Sequence, residues 1–323
     1  MPKSITRLKS SPILGIMLGV FYGLTLRITF DWKLVHGFLE IISFAFLINA
    51  PFVVGAIAVF FMPREKPPII WQQLMVANIA MTFFLLAMFI LVLEGLICIV
   101  LVAPVFFVAA SLGGLAMGVV IKYFDRAGPT LNCLVLLPFL LGAYESQLPS
   151  SQTTGKVANS VLVNAPAEQV FNQIATVKDI QPEELGFSFM HAIGLPRPLE
   201  ANMSGTGVGA VRLSKWEQGV SFKERITYWQ APTRMYYEFD IPAGSVPREA
   251  LDQHVELGGK YFTVTQGGYD IEAINAHQSR LTLHTVYVNK SNLQLYGNTW
   301  STIALADFHH SILQLIKRRA EKT

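Results

Sequence analysis

The stretch Ile69–Ile121 constrains the fold of this chain most strongly, because Glu94 is the only formally charged residue within it. A helix needs about 20 predominantly apolar residues to cross the hydrocarbon core of a bilayer. This stretch is therefore long enough for two crossings. It predicts a membrane hairpin whose turn lies near Glu94–Gly95, where a charge and a glycine coincide, or later, at Pro104.

Further apolar segments extend this membrane region over residues 1–146. The segment Pro12–Phe30 follows three basic residues and has no small-residue cleavage site at its end, which is typical of an uncleaved anchor rather than a signal peptide. Arg27 and Glu40 would lie at similar depth, where they either pair or reach the headgroups independently. Glycines at 113, 114 and 118 predict close helix packing. The five predicted spans are 12–30, 37–62, 71–93, 104–124 and 127–144.

The charge pattern predicts the orientation of these spans. Lys and Arg outnumber Asp and Glu by nine to six in residues 1–155, whereas residues 156–323 contain sixteen of each. Five spans place the N-terminal segment, the Arg64/Lys66 loop and the Lys122/Arg126 loop on one side, which the positive-inside rule makes cytoplasmic. We therefore expect an integral protein of a bacterial inner membrane, with its N-terminus cytoplasmic and its C-terminal domain periplasmic.

Residues 147–155 are expected to form a linker, and residues 156–323 a second domain that mixes helices and strands. Alternation over Gly219–Trp229 and Thr233–Ile241 predicts an antiparallel hairpin. Gly267-Gly268 is interpreted as a turn between two strands. An amphipathic helix is expected at about Thr299–Arg319. The remaining predicted elements are a strand at Val157–Asn164, helices at Ala165–Ala175 and Ile180–Phe187, and strands at Tyr261–Gln266, Tyr269–Ile274 and Arg280–Val288.

This order of elements resembles the SRPBCC superfamily, the START-like helix-grip domains that include the polyketide cyclase/dehydrase and lipid-transport family. The resemblance covers about Lys156–Lys322 and rests on the closing helix and on the segments "VLVNAPAEQVFNQIA", "GVGAVRLSKWEQGVSFKERITYWQAPTRMYYEFDI" and "TQGGYDIEAINAHQSRLTLHTVYV". It implies an α+β domain with a curved antiparallel sheet wrapped around a long C-terminal helix, joined here to an all-α transmembrane bundle. It also implies a hydrophobic ligand, such as a lipid, sterol, hormone or polyketide, between sheet and helix.

The residues themselves place a cavity in the same position, where the apolar strand face meets the apolar stripe of the closing helix. Some of these side chains are expected to line a void, and others only to pack in the core. The candidate ligand-binding residues are Phe222, Glu224, Ile226, Tyr228, Met235, Tyr237, Phe239, Trp300, Ile303, Ala304, Asp307, Phe308 and Ser311.

Two groups of polar residues allow alternative interpretations. Glu224 lies on an apolar strand face, so it needs a ligand, ordered water or a protein partner, and a salt bridge with Arg212 explains it equally well. Asp307 and His310 stand three residues apart on the closing helix. With Glu224 they would make an acid/base set, but an ordinary exposed pair has the same spacing.

The leading functional hypothesis is a membrane-anchored protein that binds or transfers a lipid-like small molecule. The second is a cyclase-, dehydratase- or hydrolase-like enzyme that uses the same cavity, and the third is a non-catalytic envelope scaffold. No catalytic residue, metal site or cofactor is predicted, because the histidines and the two cysteines show no metal-ligand spacing and no phosphate loop or nucleophile elbow occurs. The charge-neutral C-terminal half argues against a nucleic-acid partner, and the sequence identifies no protein partner.

Overall fold

A computed structural model describes two compact units, residues 1–150 and 151–323. The residues it describes are 11–32, 42–63, 68–124, 127–148, 152–242, 244–247, 250, 257–259, 261–291 and 293–322. Several residues that entered the charge and pairing predictions lie outside this set. They are Lys3, Arg7, Lys9, Lys33, Glu40, Arg64, Lys66 and Arg126.

The N-terminal unit is all-α. Four of its described helices are long and apolar enough to cross a membrane, and the described part of the predicted second span forms a shorter apolar helix at Ala45–Phe60. The helices are α1 (Pro12–Asp31), α2 (Ala50–Phe60, which continues from a π-helical turn at Ala45–Asn49), α3 (Ile70–Ile90), α4 (Leu96–Tyr123) and α5 (Ala127–Glu145).

A buried ion pair holds the turn between α3 and α4. The Nε of Arg27 in α1 lies 2.7 Å from a carboxylate oxygen of Glu94, and its Nη2 donates to the Leu93 carbonyl oxygen at 2.8 Å. The expected turn at Glu94–Gly95 is thus confirmed, and the alternative at Pro104 is wrong, because Pro104 lies inside α4. The buried partner of Arg27 is Glu94, whereas Glu40 lies outside the described part of the chain.

Glycines bring the helix backbones of this unit into contact. A Cβ on Gly113 of α4 would lie 1.8 Å from the Phe52 carbonyl oxygen of α2, and one on Gly118 would lie 2.1 Å from the side-chain oxygen of Gln73. The predicted close packing is therefore confirmed. The exterior carries large apolar side chains, which suits a hydrocarbon environment. Exposed examples are Ile13, Phe21, Ile28, Ile79, Phe83, Leu86, Val108, Leu112, Leu136 and Leu140.

The C-terminal unit is an open seven-stranded antiparallel sheet with a long closing helix. The sheet order is β1-β7-β6-β5-β4-β3-β2, and the closing helix packs on β1 and β7. This is the helix-grip arrangement that the family resemblance implied. The elements are β1 (Thr153–Val163), α6 (Ala167–Ala175), α7 (Pro182–Leu185), α8 (Phe189–Ala192), β2 (Pro198–Ser204), β3 (Val211–Trp216), β4 (Ser221–Gln230), β5 (Arg234–Asp240), β6 (Phe262–Asn275), β7 (Gln278–Asn289) and α9 (Gln294–Ala320).

Strands β1 and β6 differ from the sequence-based expectation. β1 begins at Thr153, which pairs with Asn289, so the end of the predicted linker belongs to the sheet. β6 runs without interruption through Gly267-Gly268, so the predicted turn is wrong. A Cβ on Gly267 would lie 2.6 Å from the Tyr237 ring, and one on Gly268 would lie 2.5 Å from the Tyr236 ring. These glycines make room for tyrosine rings of β5 on both faces of β6.

Candidate functional site

The inner face of the sheet is built by the alternation of β4 and β5. Phe222, Glu224 and Ile226 of β4 and Met235 and Tyr237 of β5 are all buried, as their spacing predicts for side chains that point to one face. They face the core shared with α9, where Ile312, Leu313 and Ile316 are also buried. In these two strands the inner face is thus predominantly apolar, with Glu224 as the charged exception.

Tyr228 does not share this face, and the expectation that it does is wrong. The pairing of β4 with β5 shifts register between Ile226 and Tyr228, and such a bulge reverses the alternation of the side chains that follow. Tyr228 is 41% exposed, and its ring stacks on Tyr236 on the outer face, with ring centroids 5.3 Å apart. Trp229 turns inward instead and packs edge-on against Phe171 at 5.0 Å.

The buried stripe of α9 is also offset from the predicted one. Ile303 is 42% exposed, and Trp300 and Ala304 are only half-buried. The buried side runs instead through positions 301, 305, 309, 312 and 316, which include a serine and a histidine. A pattern of apolar residues alone does not register these two polar positions, so the predicted stripe is offset in the first half of the helix, whereas its last two members, Ile312 and Leu315, are buried as expected.

His309 is the polar residue that links α9 to two strands. Its side chain is fully buried, with Nδ1 2.9 Å from the Asn159 side-chain oxygen of β1 and Nε2 2.9 Å from the Thr285 hydroxyl of β7. Burial lowers the pKa of His309 to about 4. The neutral imidazole therefore donates from Nδ1 to Asn159 and accepts at Nε2 from Thr285. In the sequence His309 was weighed only as a metal ligand, and no local pattern there predicts this role.

Asp307 and His310 are not brought together with Glu224. The Asp307 carboxylate accepts hydrogen bonds from the Ser188 hydroxyl and from the backbone N–H groups of Phe189 and Met190, so it caps the short helix α8. His310 is exposed on the other side of α9. The fully buried Ser311 hydroxyl donates back to the Asp307 carbonyl oxygen at 3.4 Å. The arrangement that the acid/base hypothesis requires is absent for these three side chains.

Glu224 has a protein partner. It pairs with Arg212, which lies directly opposite it across β3 and β4, and both side chains are buried. Arg212 also donates to the Ile174 carbonyl oxygen at 2.6 Å. Its guanidinium carbon lies 5.1 Å from the Tyr237 ring centroid and 5.6 Å from that of Tyr269. The salt-bridge alternative for Glu224 is therefore the one the geometry realises.

Burial and the contact between Arg212 and Glu224 shift the pKa values of these two groups in opposite directions. Burial raises the pKa of the Glu224 carboxyl, and the neighbouring Arg212 guanidinium counters that rise. Burial works against the Arg212 charge as well, but Glu224, Tyr269 and Tyr237 hold the pKa of Arg212 above its usual value. Because a guanidinium stays protonated in proteins, Glu224 faces a permanent cation and forms an ion pair. Burial also raises the pKa of Tyr237 and Tyr269, which remain neutral.

A cleft opens where β5 and β6 part. Their pairing ends at Glu238–Gln266, although β5 continues to Asp240 and β6 begins at Phe262. The cleft measures about 330 Å³, and its described walls combine polar and apolar side chains. It is lined by Glu238, Phe239, Ile241, Gly258, Thr263, Val264, Thr265 and Gln266.

Phe239, which lines the cleft, begins a row of aromatic rings on the inner face. Phe239 and Val264 belong to the cluster that packs with Leu305 of α9. The Phe239 ring centroid lies 5.7 Å from that of Phe222. The row continues through Trp216, which is 5.8 Å from Phe222 and 5.1 Å from Phe308 on α9. Of the predicted ligand-binding residues, Phe239 lines the cleft and Phe222 and Phe308 belong to this row.

Comparison with known proteins found no family model and no curated protein sequence that matches this chain. Among solved structures, it is similar to the Zhui aromatase/cyclase from Streptomyces sp. R1128, at 14% identity over 53% of this chain and 95% of that one, with a TM-score of 0.34. Norcoclaurine synthase from Thalictrum flavum is 15% identical over 52% of this chain and 97% of its own, with a TM-score of 0.32. Ara h 8.0201 is 10% identical over 53% and 100%, with a TM-score of 0.32. Matches of this strength carry no information about ligand or reaction.

The ion pair gives a stability prediction. Glu224→Gln leaves the buried Arg212 charge without its counter-ion and should lower the free energy of unfolding by about 3 kcal/mol. The matched control is Glu272→Gln, which breaks the exposed pair with Arg280 and should cost less than about 1 kcal/mol. Urea unfolding of the full chain in detergent, followed by tryptophan fluorescence, measures both. Equal effects would contradict a structural role for the pair.

His309 gives a pH prediction. Its pKa is about 4 in the folded state and about 6.5 when unfolded, so the unfolded chain binds more protons between these values. The contribution of His309 to the free energy of unfolding is complete above pH 6.5. It is lost as the pH falls toward 4, by about 3 kcal/mol in total. Unfolding curves of the wild type and of His309→Gln, measured across this range, isolate the effect. A difference between the two proteins that does not change with pH would contradict the assignment.

Proposed function

We propose that this chain is a membrane-anchored protein that binds or transfers a hydrophobic, lipid-like small molecule between its sheet and α9. The observation that supports this most is the cleft between β5 and β6, because it connects a polar rim with an aromatic interior. Ligand pockets commonly combine apolar walls with a few polar groups that orient the ligand. The ligand would enter through the cleft, with its apolar part directed toward Phe239 and Phe222.

The rim of the cleft limits the chemistry of the ligand's polar end. The hydroxyls of Thr263 and Thr265 and the amide of Gln266 offer hydrogen bonds, whereas the Glu238 carboxylate repels an anion. An uncharged or cationic polar end therefore fits best. A volume of about 330 Å³ lies at the small end of ligand pockets, so it suits one ring system or one short chain.

The N-terminal unit supports the membrane part of the proposal. It contributes four helices that are long and apolar enough to cross a bilayer, and a lipid-like ligand is most concentrated there. We further propose a bacterial inner membrane and a periplasmic C-terminal domain. This orientation requires that the apolar segment Ala45–Phe60 also cross the membrane, because five crossings put the two ends of the chain on opposite sides.

The other two hypotheses have less support. An enzyme of the cyclase or hydrolase type was tied to a convergence of Glu224, Asp307 and His310, and these side chains have separate surroundings. A scaffold without a cavity does not account for the opening between β5 and β6. We therefore retain ligand binding as the proposed function.

The proposal predicts that a large side chain in the cleft prevents the protein from binding its small molecule. Thr263→Trp places an indole in the cleft and should abolish co-purification of a small molecule while the melting temperature changes little. Ala158→Trp, at an exposed position on the outer side of β1, is the matched control and should retain the molecule. Native mass spectrometry with solvent extraction of the full chain measures both. If the wild type carries no small molecule, or if Thr263→Trp carries as much as the wild type, the proposed site is wrong.

A further inference from the structure

We infer that the C-terminal domain docks on a lipid bilayer through the end at which β1 and α9 begin, so that the mouth of the cleft opens at the lipid surface. The docking surface comprises the start of β1, the start of β6, the end of β7 and the first two turns of α9. The inference rests on the proposed function in two respects: the apolar helices cross a bilayer, and the cleft is the route of the ligand.

Strand register places the cleft and the start of the domain at one end of the sheet. Thr153 of β1 pairs with Asn289 of β7, which in turn pairs with Phe262 of β6. In the next row Thr154, Val288 and Thr263 lie side by side. Since neighbouring strands are about 4.8 Å apart, Thr263 on the cleft wall lies about 10 Å from Thr154.

The first turn of α9 lies at this same end. The hydroxyl of Thr153 hydrogen-bonds to the side-chain oxygen of Gln294, the first residue of the helix. The side-chain amide of Asn289 donates to the Gln294 carbonyl oxygen at 3.4 Å. The opposite end of the sheet is closed by the last turn of α9, where the Glu321 carboxylate accepts from the Asn164 backbone N–H at 2.8 Å.

The covalent chain limits how far this end can be from a bilayer. Residues 146–152 separate the last residue of α5 from the first residue of β1. A fully extended chain of this length spans at most about 30 Å. If α5 crosses the membrane, the chain enters the domain within that distance of the lipid, whatever the orientation of the two units.

The side chains at this end suit a lipid headgroup region. Leu295 on the first turn of α9 is 85% exposed, which is costly in water and favourable in a bilayer. Tyr296 and Trp300 are half-buried beside it, with ring centroids 6.3 Å apart. Tyrosine and tryptophan are enriched at membrane interfaces, where their apolar rings and polar tips are both satisfied.

The charge of the segments that form this end also favours a lipid surface. Residues 146–157 and 284–301, which include the start of β1, the end of β7 and the first turns of α9, contain no Asp or Glu, whereas they contain Lys156 and Lys290. Lys156 lies near the start of β1, and Lys290 follows directly after the end of β7. Each basic residue close to anionic headgroups contributes about 1 kcal/mol of attraction. A bilayer with anionic lipids is therefore the occupant that the surface fits.

Depth-dependent quenching of a fluorophore tests the docking. In full-length protein with Cys98 and Cys133 replaced by alanine, Leu295→Cys and Val208→Cys are each labelled with bimane. Val208 is also exposed, but it lies beyond β2 at the opposite end of the sheet. Each protein is reconstituted into phosphatidylcholine/phosphatidylglycerol vesicles, with and without brominated acyl chains. The label at 295 should lose at least about half of its fluorescence in brominated vesicles, and the label at 208 should lose little.

The outcomes separate this inference from the function on which it rests. If the protein floats with the vesicles and the label at 295 is quenched no more than the label at 208, docking through this end is overturned. If the label at 295 is quenched but the wild type carries no small molecule, docking stands and ligand binding fails. If the protein does not float with the vesicles, the membrane anchor fails, and docking fails with it. In a second labelled protein, the fluorophore is attached at Thr299→Cys. Leu295→Glu adds a charge to the docking surface and should abolish the quenching of that label.

Discussion

The C-terminal unit depends on the burial of one face of its sheet by α9. A single antiparallel sheet with an apolar face is stable only when another element covers that face. Leu305, Ile312 and Ile316 provide the apolar contact, and His309 fixes the helix to β1 and β7 through two hydrogen bonds. Because an imidazole between two fixed partners has one favourable position, it sets the register of the helix on the sheet, which apolar contact alone leaves adjustable.

The space under α9 is filled unequally along the strands. In the middle, the Arg212–Glu224 pair and the rings of Tyr237 and Tyr269 occupy the interior with polar groups that satisfy one another. Beyond Glu238, β5 and β6 separate and leave the cleft. A buried ion pair adds little net stability compared with apolar side chains of the same volume. Here it fills the middle of the core together with the tyrosine rings, and the cleft lies at the end where the chain enters the domain.

The sequence predicted the features that depend on local patterns. Alternation identified Phe222, Glu224, Met235 and Tyr237 as inward-facing, and the apolar content of Ile69–Ile121 identified a helical hairpin with its turn at Glu94. Features that depend on neighbouring strands were missed. The bulge after Ile226 turns Tyr228 outward, which alternation along one strand does not predict. Gly267 and Gly268 do not form a turn; they make room for the rings of Tyr237 and Tyr236, which belong to the neighbouring strand β5.

The candidate site was harder to predict than the fold, for a physical reason. A cleft forms where two backbones stop pairing, and side-chain alternation contains no information about that event. His309 was missed because polarity on a helix usually indicates exposure, and its partners Asn159 and Thr285 are distant in the sequence. The salt bridge of Glu224 with Arg212 was one of two alternatives, and a single sequence offers no means to choose between a partner and a ligand.

The proposed function and the proposed docking both require that the opening between β5 and β6 hold a small molecule and face lipid. The most direct measurement is an electron cryomicroscopy structure of the full chain, purified with its native lipids in a nanodisc. Density should lie beyond the last paired residues, Glu238 and Gln266, and end near Phe239 and Leu305, with the mouth of the cleft at the nanodisc surface. An empty cleft, or a cleft that opens away from the lipid, would contradict it.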